Sequence, residues 1–380
     1  MGTVDNSTQQ TFQITTELQT DFDAVRPIFA STDTNISHAI RMVSASAPAS
    51  AADLNNSSGT WVQGFRAGLG RIYAGVAPGV GRICYSTTDW IYLPSRPRTD
   101  GGKNPLVSIR AFFNASSTLP AYGNGADSFT NWATRTDGRK WVARQQAGLH
   151  VTTTSGFTTT ANLSQSPIVG VQYLARGKVI TVAAVGDSIT DGRGSYLGEG
   201  FIMPVTEALT NGNTAVEYMN CGWSTQTMAV FAERAIDVLE SPLKPSVLVM
   251  PAGSPNDVSG AITQAHIDAM RGQRSRVQKA AKDHGVPLVL WTWLPSDSSV
   301  KPYGTSDSLR TAYNAEALAQ DGKGFIVADT AAVFGGATSG GQIQIGAGLS
   351  TDGIHPNDAG NAALRNVIRQ AIQRAMKVSA

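Results

Sequence analysis

Cysteine is nearly absent. The 380 residues hold two, Cys84 and Cys221, which fall in halves of different character, so a disulfide framework is excluded. The five histidines are scattered; no Cys/His cluster has the spacing of zinc ligands, and no metal is expected. Charge is scarce too. Asp, Glu, Lys and Arg make up 15% of the chain, 30 basic against 28 acidic, for a net charge of +2. Without a basic block, nucleic acid is excluded as the main partner. No apolar run is long enough to span a bilayer, and no internal repeat stands out. The opening MGTVDNSTQQ has neither the basic nor the apolar part of a signal peptide. Low charge with abundant Ser, Thr, Gly and Asn is expected of a secreted or periplasmic protein whose leader has been removed. Hydrophobic residues, at 41%, suffice for ordinary cores, and the length predicts two domains.

The two halves differ in pattern. Residues 1–175 read as β: FQITTELQT (12–20) alternates Phe12, Ile14, Thr16 and Leu18 on one face, the period of a half-buried strand. Similar runs lie at 38–47, 81–93, 106–116 and 140–148, separated by stretches such as LPSRPRTDGGKNP. Many short strands with Gly/Pro/Asn turns predict a β-sandwich or jelly-roll-like accessory domain. From 176 to 380 the pattern becomes α/β. Continuous apolar strands are predicted at 178–186, 215–222, 246–253, 286–293 and 324–330. Helical stretches lie at 226–240, 261–284 and 358–376, the last with Leu364, Val367, Ile368, Ala371 and Ala375 on one face. Strands apolar on both faces alternating with helices mean a parallel sheet covered on both sides. Ligands then sit at the carboxyl ends of the strands.

That rule selects a few residues. AVGDSITDGRG (184–194) ends the first strand on Asp187 and Ser188. A turn alone accounts for Gly, Asp and Ser there, whereas a nucleophile at Ser188 needs a base. His355 is the only histidine in a loop after a strand of the α/β half. His266 and His284 sit in the 261–284 helical stretch, and His38 and His150 in the β half. Asp352, three residues before His355, is placed to accept from the imidazole and fix its tautomer, the logic of a serine hydrolase. An attacked ester also develops charge on its carbonyl oxygen, so donors must converge there. The amides of Ser188 and Gly222 and the side chain of Asn256 are the candidates, with Asn220 as the fallback. Trp223 is a candidate wall of the acyl pocket or a core residue. Trp291, Trp293 and Cys221 read as core, Asp187 as a brace for its turn, and Arg193 as a solvated cation.

GDSITDG, NCGWSTQT, GSPND and DGIHPND, in this order, resemble the four blocks of the SGNH (GDSL) hydrolase family. The resemblance covers residues 178–376. It implies a flavodoxin-like three-layer α/β/α domain with a five-stranded parallel sheet, and ester hydrolysis without metal or organic cofactor. Ser188 would be nucleophile and oxyanion donor, Gly222 and Asn256 the other donors, and Asp352 and His355 the Asp-x-x-His pair. One departure stands out: the family's Gly-x-Asn-Asp is here Gly253-Ser254-Pro255-Asn256-Asp257, one residue longer. The β half resembles, more loosely, the β-domain of two-domain secreted esterases of this family.

The expected function is a serine esterase acting on short acyl groups, acetyl foremost, of a small-molecule or carbohydrate ester. A lipase or acyltransferase of the same family would need a long apolar acceptor groove. A catalytically inactive carbohydrate-binding protein would have no use for Ser188, Asp352 and His355 together. The loops 294–304 and 334–350 are the candidates for shaping access to the site, the second by its glycine-rich mobility.

Overall fold

A computed structural model gives the fold. It describes residues 2–4, 10–31, 40–50, 53, 60–64, 84–113, 119–121, 141–147, 149, 168–195, 200–241 and 244–378. The chain divides into two compact units, Met1–Val179 with Asn213–Ala215, and Ile180–Gly212 with Val216–Ala380. His38 and His150 lie outside the described residues.

In the first unit the strands are β1 (Gly2–Val4), β2 (Gln10–Glu17), β3 (Phe22–Ser31), β4 (Ile40–Ser46), β5 (Val62–Gly64), β6 (Cys84–Thr87), β7 (Ile91–Tyr92), β8 (Leu106–Phe113), β9 (Leu119–Ala121), β10 (Trp141–Ala147) and β11 (Ile168–Ala175). One antiparallel sheet runs β10-β2-β8-β4-β5 and a second β11-β3-β6, with β7 also on β3. One hydrophobic cluster gathers Phe12 and Ile14 from the first sheet and Phe22, Val25 and Phe29 from the second. The alternation along β2 is not simply in and out, because Thr11, Gln13 and Thr15 on its other face are buried as well. There the polar groups satisfy one another: Thr15 and Ser108 hydroxyls meet at 2.7 Å, and Arg110 Nε donates to Gln13 Oε1 at 2.9 Å. The expected strand at 81–93 is broken between β6 and β7.

The second unit runs β12 (Lys178–Gly186), α1 (Ser188–Asp191), α2 (Met203–Leu209), β13 (Thr214–Gly222), α3 (Met228–Glu240), β14 (Val247–Pro251), α4 (Gln264–Asp283), β15 (Leu288–Trp291), α5 (Asp307–Ala319), β16 (Ile326–Ala328), α6 (Thr330–Phe334), β17 (Gly335–Ser339), β18 (Gln342–Ile345) and α7 (Asp358–Val378). The sheet order is β13-β12-β14-β15-β16, with β12, β14, β15 and β16 paired in parallel. This is the flavodoxin-like order 2-1-3-4-5. Alternate strand residues Val182, Ala184, Val247, Val249, Val289 and Trp291 share one cluster with Val205 of α2 and Leu364, Ile368 and Ala371 of α7. Helices α3, α4 and α5 cover the other face with Phe231, Val238, Met270, Val277 and Tyr313, all buried. The strands are apolar on both sides because both sides are covered. The order reverses between β12 and β14, and a ligand crevice belongs outside the carboxyl ends of those strands.

The glycine-rich segment expected as a mobile loop is a hairpin, β17–β18. Gln342 Nε2 donates to the carbonyls of Ser296 (2.7 Å) and Lys301 (2.8 Å), and Ile345 N donates to Asp297 Oδ1 at 3.0 Å. The hairpin thereby holds the 294–304 loop, and Asp297 N in turn donates to Gly353 O at 2.9 Å. Two surface connections become one braced support beside Asp352.

Candidate active site

The end of β12 explains why Gly, Asp and Ser follow one another. A Cβ on Gly186 would lie 2.0 Å from Thr190 Oγ1, so only glycine lets the strand turn this tightly into α1. Asp187 caps α1, its Oδ1 accepting from Ile189 N at 2.9 Å. Gly192 ends the helix in the left-handed conformation, φ 93°. Ser188 is thus held at the first turn of a short helix, 5% exposed.

His355 reaches it from the loop before α7. Ser188 Oγ and His355 Nε2 are 2.8 Å apart. On the far side of the ring, Nδ1 lies 2.6 Å from Asp352 Oδ2. A carboxylate only accepts, so Nδ1 carries the proton and Nε2 is left to accept from the Ser188 hydroxyl. Asp352 is fixed by its other oxygen, which accepts from His355 N (2.8 Å) and Ile354 N (3.0 Å). Partial burial opposes its ionisation, but these amides and the imidazole outweigh it and bring the carboxyl down to about 2. Asp352 is therefore anionic at any ordinary pH. The loop is anchored behind the pair: Asn361 Nδ2 donates to Pro356 O at 2.8 Å, and Ser350 pairs with Pro356 in a β-bridge.

The amide candidates converge less simply. Gly222 packs against α1, where a Cβ would lie 2.3 Å from Asp191 N. Its own N–H donates to Asn220 Oδ1 at 2.9 Å. Asn220 Nδ2 faces the other way, toward Asp191 O at 3.3 Å. Asn256 lies in the turn Pro255–Asp257, and its Nδ2 donates to Gln226 O at 3.1 Å. That amide group has two hydrogens, so this bond engages one of them. Trp223 is half-buried, with the Arg234 guanidinium 5.1 Å from its ring centroid.

The sequence model of the GDSL-like lipase/acylhydrolase family matches residues 184–363. Over that span the chain is a GDSL-like acylhydrolase, an ester hydrolase by family. Solved structures similar to it include an acylhydrolase from Bacteroides fragilis described as putative, 21% identical over 51% of this chain and 86% of that one, TM-score 0.41. Esterase EstA of a Pseudoalteromonas species is 15% identical over 52% and 98% of the two chains, TM-score 0.38. A family 3 carbohydrate esterase of Clostridium thermocellum is 16% identical over 53% and 100%, TM-score 0.39. No curated protein matches the chain.

Several residues around the candidate site make contacts that the sequence does not signal. Ser254, fully buried, donates to Asp187 Oδ2. Asp257 accepts from Met228 N with both oxygens, at 3.1 and 3.0 Å, and so caps α3. Burial, with the neighbouring Asp187 charge, pushes the Asp257 carboxyl up to about 6. Burial also raises Asp187, against the hydrogen bonds from Ser254 and Ile189. Arg234 is wholly buried, and its Nη1 donates to Cys221 O (2.9 Å) and Gly186 O (3.2 Å). Those carbonyls lie in the last residues of β13 and β12, one residue before Gly222 and Asp187. A helical arginine in AVFAERAIDVLE reads as surface; only the sheet order shows that it faces inward. Trp291, Trp293 and Cys221 are buried as core residues. Arg193 is exposed. His266 lies at the start of α4, where its ring takes part in a capping box with Thr263, and His284 caps the other end. Among the described residues no three His, Cys, Asp or Glu side chains group as metal ligands would, and no helix is long and apolar enough to cross a membrane.

Proposed function

We propose that the chain is a serine esterase that cleaves short acyl esters, acetyl foremost, through an acyl-enzyme. The observation that carries this is the row Ser188 Oγ–His355 Nε2–Nδ1–Asp352 at 2.8 and 2.6 Å, at the carboxyl end of the first sheet strand. Ser188 Oγ attacks the ester carbonyl while His355 Nε2 takes its proton. Asp352, anionic, keeps the proton on Nδ1 and stabilises the imidazolium. The charge on the tetrahedral oxygen is met by Ser188 N, Gly222 N and Asn256 Nδ2. Gly222 N shares its hydrogen between Asn220 Oδ1 and that oxygen, and Asn256 contributes the hydrogen not engaged by Gln226. His355 then protonates the leaving alcohol, and water, activated by the same imidazole, releases the acid.

The composition of the loops that follow β12, β13 and β14 supports a small acyl group and a polar alcohol. Gly192, Arg193, Gly194, Ser224, Thr225 and Asn256 are small or polar. We therefore take acetylated carbohydrate as the natural substrate class, with Trp223 against the acyl group. In this reading residues 1–175 form an accessory domain and 176–380 the catalytic one, acting outside the cytoplasm. The test is an activity profile of wild type and Ser188→Ala over p-nitrophenyl esters of increasing chain length and over acetylated xylose and glucose. The expected result is a kcat/KM maximal at acetyl, falling at least ten-fold by octanoyl, and lost in Ser188→Ala. A maximum at long chains would instead indicate a lipase, and activity surviving in Ser188→Ala would remove the mechanism.

A further inference from the structure

The third sequence block, Gly253-Ser254-Pro255-Asn256-Asp257, holds a serine that the esterase mechanism does not use. Ser254 is fully buried and caps the turn Pro255–Asp257. Its hydroxyl accepts from Asn256 N at 3.2 Å. An amide nitrogen can only donate, so the single hydroxyl proton is free to go elsewhere. It goes to Asp187 Oδ2. The other oxygen of Asp187 accepts from Ile189 N, the residue after Ser188. Ser188 and Asn256 are thereby joined through two side chains: Ile189 N to Asp187, Asp187 to Ser254, Ser254 to Asn256 N.

The same turn is tied on its other flank to the loop after β13. Asn256 Nδ2 donates to Gln226 O, and Asp257 accepts from Met228 N. Proline fixes φ at position 255, which stiffens the turn without saying where it sits relative to Ser188. The Ser254 hydroxyl supplies that.

We propose that Ser254 is a positioning residue, which sets the Asn256 amide against the nucleophile turn by bridging Asp187 to Asn256 N. This rests on the esterase reading and on Asn256 as an oxyanion donor. It makes Ser254 silent in substrate binding and active only through Asn256, since an oxyanion donor acts mainly once charge has developed. Burial supports the bridge further: with no water to replace it, loss of the hydroxyl leaves Asp187 Oδ2 short of a donor.

The test is a double-mutant cycle with p-nitrophenyl acetate, using Ser254→Ala, Asn256→Ala and the pair, with Ser188→Ala as reference. Ser254→Ala is expected to lower kcat about ten-fold, the effect of one hydrogen bond, with KM within about two-fold. In the Asn256→Ala background the same change is expected to cost less than about two-fold. If Ser254→Ala does not fold, Ser254→Gly carries the same cycle. Equal losses in both backgrounds would overturn the proposal, because a general loosening of the site does not depend on Asn256. So would a Ser254→Ala enzyme with wild-type kcat while Ser188→Ala is dead, a result that leaves the esterase reading standing. Turnover that persists in Ser188→Ala would remove the esterase reading and this proposal with it.

Discussion

Gly222→Ala adds one methyl group, and its consequence can be worked from distances. The new Cβ would stand 2.3 Å from Asp191 N and 2.7 Å from both Asp191 Cα and Thr190 C. All three are backbone atoms, so no side chain can swing aside. Real Cβ atoms essentially never approach within 3.0 Å, which leaves a shortfall of about 0.7 Å at the nearest atom. Either α1 or the end of β13 must move by that amount. Moving α1 displaces Ser188, at its first turn, from His355; moving β13 displaces the Gly222 amide. Overpacking of this kind costs about 1–3 kcal/mol of stability, and a misplacement approaching 1 Å at the reacting groups costs on the order of 10² in rate. The assay is kcat on p-nitrophenyl acetate beside a thermal melt, with Gly260→Ala as control, since a Cβ there meets nothing within 4 Å. A Gly222→Ala enzyme with kcat within about three-fold of wild type would refute the argument that β13 and α1 are packed to fix the site.

Asp352→Asn should lower kcat by about 10²–10⁴, because the amide no longer holds the imidazole in the tautomer that can accept from Ser188; steady-state kinetics on the purified variant measures it. Asp257 gives a stability prediction with a definite sign. Its folded carboxyl, at about 6, lies above the ordinary 3.8, so the folded state holds a proton that the unfolded state has lost between those values. Stability from this group is full below about pH 4 and falls as pH rises through 6, by at most about 3 kcal/mol. Asp257→Asn should remove that fall, seen as a variant-minus-wild-type Tm that grows more positive from pH 4 to 7; a difference that does not change with pH would count against it. In α5, Asp307 and Arg310 pair at 2.6 Å with both side chains buried, and Asp307 also accepts from Ile343 N of the hairpin at 3.0 Å. Asp307→Ala should cost about 3–5 kcal/mol by stranding the Arg310 charge, measured by urea unfolding.

What the sequence made legible follows from what its patterns encode. The five strands of the sheet were readable to within three residues because burial on both faces leaves a continuous apolar run. Ser188, Asp352 and His355 could be picked out as candidates because each follows a strand of an α/β pattern. Helix α5 was missed for a physical reason: its buried face carries Asp307, Arg310, Tyr313, Asn314 and Ala317, at helical spacing but mostly polar. An apolar periodicity cannot register a face that buries a salt bridge and an amide that serves the Trp293 backbone. Strand β3 was hidden by Pro27, which pairs with Val171 in the middle of its sheet, where proline is rarely found. The ties through Ser254, Asp257 and Arg234 were invisible because each is long-range, and only the sheet order brings those loops together.

In the proposed mechanism Ser188 is the nucleophile that His355 activates. The most direct measurement is intact-protein mass after reaction with a p-nitrophenyl phosphonate, followed by peptide mapping. One adduct per chain is expected, on Ser188, appearing in step with loss of esterase activity, absent in Ser188→Ala and much slower in His355→Ala. An adduct on another residue, or full activity with Ser188 modified, would contradict it.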